Sequence, residues 1–486
     1  MGVVVRQSIQ NTISTYLGFG LGAINTLVLY TRILPVSSYG LLSIQLSVAA
    51  LLMPIFIFGL PNTIIKFFNR ETAAVESARL NGFSIYFPLL FIAIAILSMF
   101  FLKAGLFPSI VEKYAHIAPY FWHILGIGVG MAYFEIAYAQ ARVMLKSAFG
   151  NVLKEIFHRL FISLGLLAMY FDFLTLDQFF LFLVGVHLLR AAVMYAYVWR
   201  YCEFFISFKR PKKLKTYLKY SVFMFLGSTA AVIILEIDKL MIYTFVNIDQ
   251  VAFYTVAVFM ATIVGVPARS MYQITAPLTA KLIQAKDYKG LSNLYKQSSL
   301  HLGMAAGGVL LLLVVNLETI YRFIPQAYGG TTLLVLLIGC SKFYDALLGN
   351  NNAILFNSPF YKSILKFGLF LALLTVLLNY VFIPAFGIKG AAIASLLAIS
   401  LYDTAKIIYV HKKYQMQPFA LETLYLLLIM VFVLALSQWI PAVENRYLSI
   451  LLNTIFTAVL YTSLLYAFKI SKTFNGLVNR LKKLLF

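Results

Sequence analysis

The sequence predicts an all-α membrane protein of about fourteen transmembrane helices. Its composition, its long apolar runs and the distribution of its basic residues carry that expectation. Of 486 residues, 62% are hydrophobic and 12% charged, the latter about half the share of an ordinary soluble domain. Unbroken apolar runs such as Phe87–Leu102 and Leu421–Leu436 exclude a closed barrel, which needs alternating segments of about ten residues. A helical crossing takes about 20 apolar residues, so with short loops the chain holds about fourteen.

Hydropathy and turn signals place the spans at 8–31, 41–66, 83–102, 118–140, 147–170, 178–200, 217–245, 251–277, 298–317, 331–354, 364–383, 388–410, 419–439 and 446–468. Pro/Gly breaks punctuate them at Leu34–Gly40, Phe323–Gly330 and Ile383–Gly390. The bases test the count. With the N-terminus inside, one face gathers 28 of the 39 Lys and Arg residues. The other holds six, namely Arg32, Lys103, Lys113, Arg322, Lys389 and Arg446. A dropped or added helix would invert every later loop and spoil this asymmetry. Both termini are therefore expected in the cytoplasm.

Met1–Gln10 carries only Arg6 as a charged residue, and a polar stretch comes after it, so no cleavable signal peptide is expected. Cys202 and Cys340 are far apart in sequence, which speaks against a structural disulfide or metal site. The net charge of +22 lies mainly along one membrane face, which points to the membrane and away from nucleic acid.

The longest basic run, Lys209–Lys219, comes after the sixth span and reads as a linker or as a segment held by anionic lipid. The expected organisation is a first lobe at 1–205, a basic cytoplasmic linker at 206–216 and a second lobe at 217–412. Two further helices occupy 413–470, and an amphipathic basic tail 471–486. A weak internal repeat agrees with two lobes: INTLVLYT at Ile24–Thr31 and IDKLMIYT at Ile237–Thr244 match at four of eight positions.

Five bases remain within the spans: Arg159, Arg190, Lys239, Arg269 and Lys342. Facing lipid, the five would cost on the order of 15 kcal/mol. They must face water, an acid or a ligand. Arg159 has Glu155 four residues earlier, Lys239 has Glu236 three earlier and Lys342 has Asp345 three later, all spacings that allow an ion pair on one helix. Arg190 and Arg269 have no carboxylate three or four residues away. Either a partner on another helix or an anionic ligand in a hydrated cavity would satisfy them.

The polar residues form stripes. On the first helix Asn11, Ser14, Thr15, Gly18, Gly22 and Asn25 recur at helical spacing, so Asn11, Ser14 and Asn25 are expected to line a cavity. The glycines, with Gly126 and Gly130 on the fourth helix, read as close-packing positions. His187, Arg190 and Tyr197 share one face of the sixth helix, and Lys154, His158 and Arg159 lie together on the fifth. His158 and His187 are either proton carriers or hydrogen-bonded structural residues. The intramembrane acids are Glu135, Glu236, Asp238, Asp345 and Asp403, candidates for cavity polarity or for a coupling cation. An interior richer in bases than acids suits an anionic cargo.

At these positions the chain resembles the Wzx-type polysaccharide flippases of the multidrug/oligosaccharidyl-lipid/polysaccharide (MOP) exporter superfamily. The residues that carry the likeness are TRILPVSSYG (Thr31–Gly40), IDKLMI (Ile237–Ile242), PARSMYQITAPLTAKL (Pro267–Leu282) and FIPAFGIKGAA (Phe382–Ala392). The resemblance covers nearly the whole length. It implies two six-helix lobes of MATE-like fold plus two C-terminal helices, working by alternating access in a bacterial inner membrane. It also implies a polyprenyl-diphosphate-linked oligosaccharide as substrate, with polysaccharide polymerase or assembly proteins as partners, in lipopolysaccharide, O-antigen or exopolysaccharide synthesis. Arg32, Arg159, Arg190, Lys239 and Arg269 are then the candidates for the diphosphate. No cofactor is implied, and H+, Na+ or the membrane potential could drive transport. Drug-exporting relatives carry an aspartate in the first helix, which this chain lacks.

Two other functions compete. A cation-coupled small-molecule antiporter of the same superfamily is the nearer. A polysaccharide polymerase or ligase would carry a large outer loop, whereas the longest here, about 103–117, is short. No Walker loop, dinucleotide fingerprint or metal-ligand motif appears, so no enzyme activity is expected.

Overall fold

A computed structural model describes residues 2–68, 74–103, 116–201, 205–360, 362–441 and 443–485, without the side chains of 2–9, 12, 102, 103, 270, 273 and 481–485. Arg70, Lys113, Cys202 and most of the outer segment 103–117 lie outside the described residues.

Every sequence span is helical. In the N-terminal half, α1 is Gly2–Ala23 with a π-turn at Ile24–Leu29 and a last turn at Tyr30–Ile33. Next are α2 (Val36–Ile57), α3 (Ala74–Lys103), α4 (Phe121–Val143) and α5, which comprises Ser147–Val152, a π-turn at Leu153–Phe157 and His158–Tyr170. Then come α6 (Leu176–Tyr201), α7 (Leu214–Phe245) and α8 (Ile248–Thr262, continuing as Val266–Gln284). The rest are α9 (Tyr288–Tyr321), α10 (Thr332–Leu347 with Asn351–Asn357), α11 (Lys362–Phe386), α12 (Ile388–Tyr414), α13 (Leu421–Ser437), α14 (Arg446–Ala467) and α15 (Lys472–Leu485).

Among the described residues, eleven helices are long and apolar enough to cross a membrane, or twelve with the two parts of α10, which meet at 51°. The other two sequence spans fall short for physical reasons. α13 is apolar but has 17 residues, and α5 carries Lys154, Glu155, His158 and Arg159.

The punctuation reflects backbone chemistry. Leu34 is extended (ψ 139°) between α1 and α2, since Pro35 disfavours helix in the residue before it. α2 ends where Phe58 and Gly59 turn left-handed (φ 43° and 71°). The unusual Phe58 conformation is held by rings on two sides, Phe91 and Phe225, each at 5.0 Å. Gly387 (φ 59°) supplies the turn between α11 and α12, where a Cβ would be strained.

The chain packs as two compact units, Met1–Ala252 and Phe253–Phe486. In the first, α4 lies against α2 and α6. α7, placed with the second lobe in the sequence, packs with the first unit. It contacts α2, and Ser221 shares a 2.7 Å hydrogen bond with Thr63. The basic segment before it is fixed at several points: Ser207 N donates to Ala78 O at 2.9 Å, and Lys213 N to Glu76 Oε1 at 3.0 Å. Lys209, Arg210, Lys212 and Lys213 remain exposed.

In the second unit α9 is central, flanked by α8, α10, α13 and α14. The tail helix α15 is docked rather than free. His301 on α9 shares a 2.9 Å hydrogen bond with Ser471, and Tyr466 Oη donates to Asn479 at 2.7 Å. Beneath it lies an apolar cavity of about 500 Å³, lined among others by Met304, Leu312, Tyr461, Leu465 and Phe474.

Candidate functional site

The first unit brings charged residues together where α1, α4, α5 and α6 meet. Close approach comes first. A Cβ on Gly126 would fall 2.6 Å from Val184, and one on Gly130 2.7 Å from the His187 carbonyl carbon. α4 therefore meets the α6 backbone at Gly130 and the Val184 side chain at Gly126, the close packing expected of these glycines. Gly18 does the same for α1 and α5, where a Cβ would sit 2.5 Å from Glu155 O and 2.7 Å from Arg159 Nη1.

The polar stripe of α1 is largely spent on that seam. Asn25 Nδ2 donates to Arg159 O at 2.9 Å, and its Oδ1 accepts from Ser163 at 2.6 Å. Asn11 Nδ2 donates to Ser147 at 3.3 Å, and Ser14 donates to Gln10 O at 2.8 Å. Ser14 and Asn25 are buried. Of the three residues expected to line a cavity, Asn11 and Asn25 thus bond across to α5, and Ser14 bonds back to its own helix.

The π-turns lie on the same seam. Each inserts an extra residue into its helix turn and so re-aims the side chains of the next turn. After the turn at Leu153–Phe157, His158 emerges beside His187 of α6 and Arg159 beside Gly18 and Asn25 of α1. Arg159 Nη1 pairs with Glu155 at 3.0 Å, the pairing its spacing suggested. Lys154 reaches across to Glu135 on α4 at 2.6 Å, a contact that local spacing could not reveal.

Arg190 differs from both. It is buried, 6% exposed, with its guanidinium over the Phe134 ring at 4.4 Å. Its Nε has no hydrogen-bond partner in the protein, and no described carboxylate forms an ion pair with it. The acids whose charge reaches it, Glu135 and Glu155, are each held by another base. One turn earlier His187, 2% exposed, has neither ring nitrogen hydrogen-bonded. Its ring centroid lies 6.2 Å from that of His158.

These contacts order the cations along α4. Arg142 stacks on Tyr138 near the helix end, Lys154 meets Glu135, Arg190 covers Phe134, and His187 abuts Gly130. From Arg142 to Gly130 is about 18 Å of helix.

The other sequence candidates divide. Lys239 pairs with Glu236 at 2.8 Å, and Ser47 donates to the same carboxylate at 2.6 Å; Asp238 beside them is buried. Arg32 and Arg269 are exposed. In the second unit Lys342 and Asp345 form no ion pair, although their spacing allows one, and Asp345 is exposed. Asp403 and Lys406 do pair, at 2.8 Å, with side-chain exposures of 0% and 2%. Lys406, counted with the inner-face bases on sequence, is thus internal. It also donates to Asn352 at 3.2 Å and lies over Tyr402. No group of His, Cys, Asp and Glu suited to a metal occurs among the described residues.

Fold and site together define a polytopic membrane transporter. The chain belongs to the polysaccharide biosynthesis protein family, whose model matches residues 4–283, and so to the MOP superfamily. Its fold is similar to that of a lipid II flippase, MurJ, in an inward closed conformation, with a TM-score of 0.67 and 14% identity over 95% of this chain and 100% of that one. It is also similar to an inward-facing multidrug resistance MATE family transporter of the MOP superfamily (0.63, 13%, covering 85% and 98%). A third similar structure is the MATE multidrug transporter DinF-BH in complex with R6G (0.52, 14%, covering 85% and 95%). Comparison with curated protein sequences gave no match.

Proposed function

We propose that this chain is a flippase for polyprenyl-diphosphate-linked oligosaccharide. It moves its cargo from the cytoplasmic to the outer leaflet of a bacterial inner membrane by alternating access. It serves lipopolysaccharide, O-antigen or exopolysaccharide synthesis, beside the polymerase and assembly proteins that use the product. The observation that carries this reading is Arg190, a buried guanidinium held by no carboxylate among the described residues. A guanidinium so placed suits the oxygens of a diphosphate. Membership of a polysaccharide biosynthesis family supports a glycosylated cargo.

Transport of a labelled prenyl-diphospho-oligosaccharide by the purified protein in liposomes tests the proposal. A cargo with about two negative charges gains about 4 to 5 kcal/mol moving outward through 100 mV, inside negative. Export driven by potential alone is the expected result. Transport of a cationic drug against a proton or sodium gradient, with no movement of the lipid-linked sugar, would favour the antiporter instead.

The same reading fixes topology. Single cysteines at Ser292 and Lys412 are expected to label only from the cytoplasm, and one at Gly329 only from outside. Labelling of Gly329 from the cytoplasm would invert the proposed orientation.

A further inference from the structure

We propose that His158 and His187 take up a proton when an anion binds beside Arg190, so that each diphosphate enters this site together with one proton. The inference rests on the diphosphate reading above and adds its linkage to pH.

Charge balance is the first argument. Around the two imidazoles, α4 contributes Glu135 and Tyr138, and α5 contributes Lys154, Glu155 and Arg159. α6 contributes Arg190, and α1 contributes Tyr30, which senses Arg159. Two acids and three bases leave one net positive charge while the imidazoles are neutral. Arg142 is kept out of this count, its guanidinium lying 4.8 Å over the Tyr138 ring, about 12 Å along α4 from the level of His187. A dianion therefore leaves one negative charge uncompensated in a setting of low dielectric, where such an imbalance is costly.

Hydrogen bonding is the second argument. Both ring nitrogens of His187 lack a protein partner although the residue is 2% exposed. A neutral imidazole presents one donor and one lone pair, whereas a phosphate ester oxygen only accepts. Protonation turns the lone pair into a second N–H donor. The proton comes from bulk water and goes onto a ring nitrogen of one imidazole. No bond to phosphorus forms or breaks. The 6.2 Å separation of the rings puts like charges close together, so one proton shared by the pair is expected rather than two.

Linkage gives the sign. If the complex holds one more proton than the free protein, affinity is highest at low pH and falls as pH rises, by up to about tenfold per pH unit. The probe should be a short-chain prenyl-diphospho-sugar, whose two diester charges do not titrate across the histidine range, so that any pH dependence belongs to the protein. Binding to the full-length chain in nanodiscs would be measured by calorimetry in two buffers of different ionisation heat.

About one proton taken up per probe bound, with affinity falling above neutral pH, is expected. His158→Gln with His187→Gln should bind the probe with flat pH dependence and no uptake. Should that variant fail to accumulate, His158→Gln alone should lower the uptake. Binding by the unmodified chain without uptake, or equal uptake in the histidine variants, would overturn the linkage. No binding at any pH would instead overturn the diphosphate reading, and the linkage with it.

Discussion

Arg190→Met is expected to reduce export by at least about thirtyfold while the protein still inserts and accumulates. Two observations separate the effects. Losing one partner of a buried, charge-assisted contact costs about 2–5 kcal/mol in binding, which corresponds to about thirtyfold to several thousandfold. Folding should be spared, because Glu135 and Glu155 keep Lys154 and Arg159 as partners and no buried acid is orphaned. Methionine retains apolar contact with Phe134. Arg190→Lys should recover export only in part, since an ammonium lacks the planar fork. Quantifying surface polymer against membrane-inserted protein checks both halves. Normal polymer output from Arg190→Met would remove this residue from the site, and loss of the protein itself would make Arg190 structural.

The helices were legible because crossing a membrane constrains composition over about 20 residues at a time. Contacts within one helix were partly legible for a similar reason. Spacings of three and four bring side chains together, and Glu155–Arg159, Glu236–Lys239 and Asp403–Lys406 all close. Lys342–Asp345 has the spacing of Asp403–Lys406 with the signs reversed, yet stays open. Asp345 is exposed, and an exposed pair gains little.

Contacts between helices were hidden. Glu135 and Lys154 meet across α4 and the π-turn of α5, while Gly126 and Gly130 let α6 approach α4. Neither the depth of that approach nor the extra residue in the turn has a period that sequence can display. The stripe on α1 was ambiguous in another way, since small polar residues mark a helix seam and a wet wall with one and the same pattern. Asn25 and Gly18 belong to the seam.

The acids of the second unit invite a coupling role, and Asp403 is where that idea meets the strongest structural alternative. Its carboxylate and the Lys406 ammonium are almost wholly shielded and 2.8 Å apart. Removing one partner of such a pair strands the other charge, at about 3–5 kcal/mol. Asp403→Asn and Lys406→Met are each expected to lower the unfolding temperature in detergent by several degrees and to reduce accumulation. Asn352 and the Tyr402 ring touch Lys406 but carry no negative charge, and Asp345, whose charge reaches Lys406, is exposed and forms no ion pair with it. Joint replacement, Asp403→Leu with Lys406→Met, removes both charges and fills the space. It should restore most of the stability that either single change loses, because apolar groups of similar volume often match a buried pair. Export separates the roles. A stable double variant that exports normally makes the pair a packing element. One that folds but no longer responds to a proton or sodium gradient would assign Asp403 to coupling, and single variants as stable as the unmodified chain would show that the pair does not hold the fold.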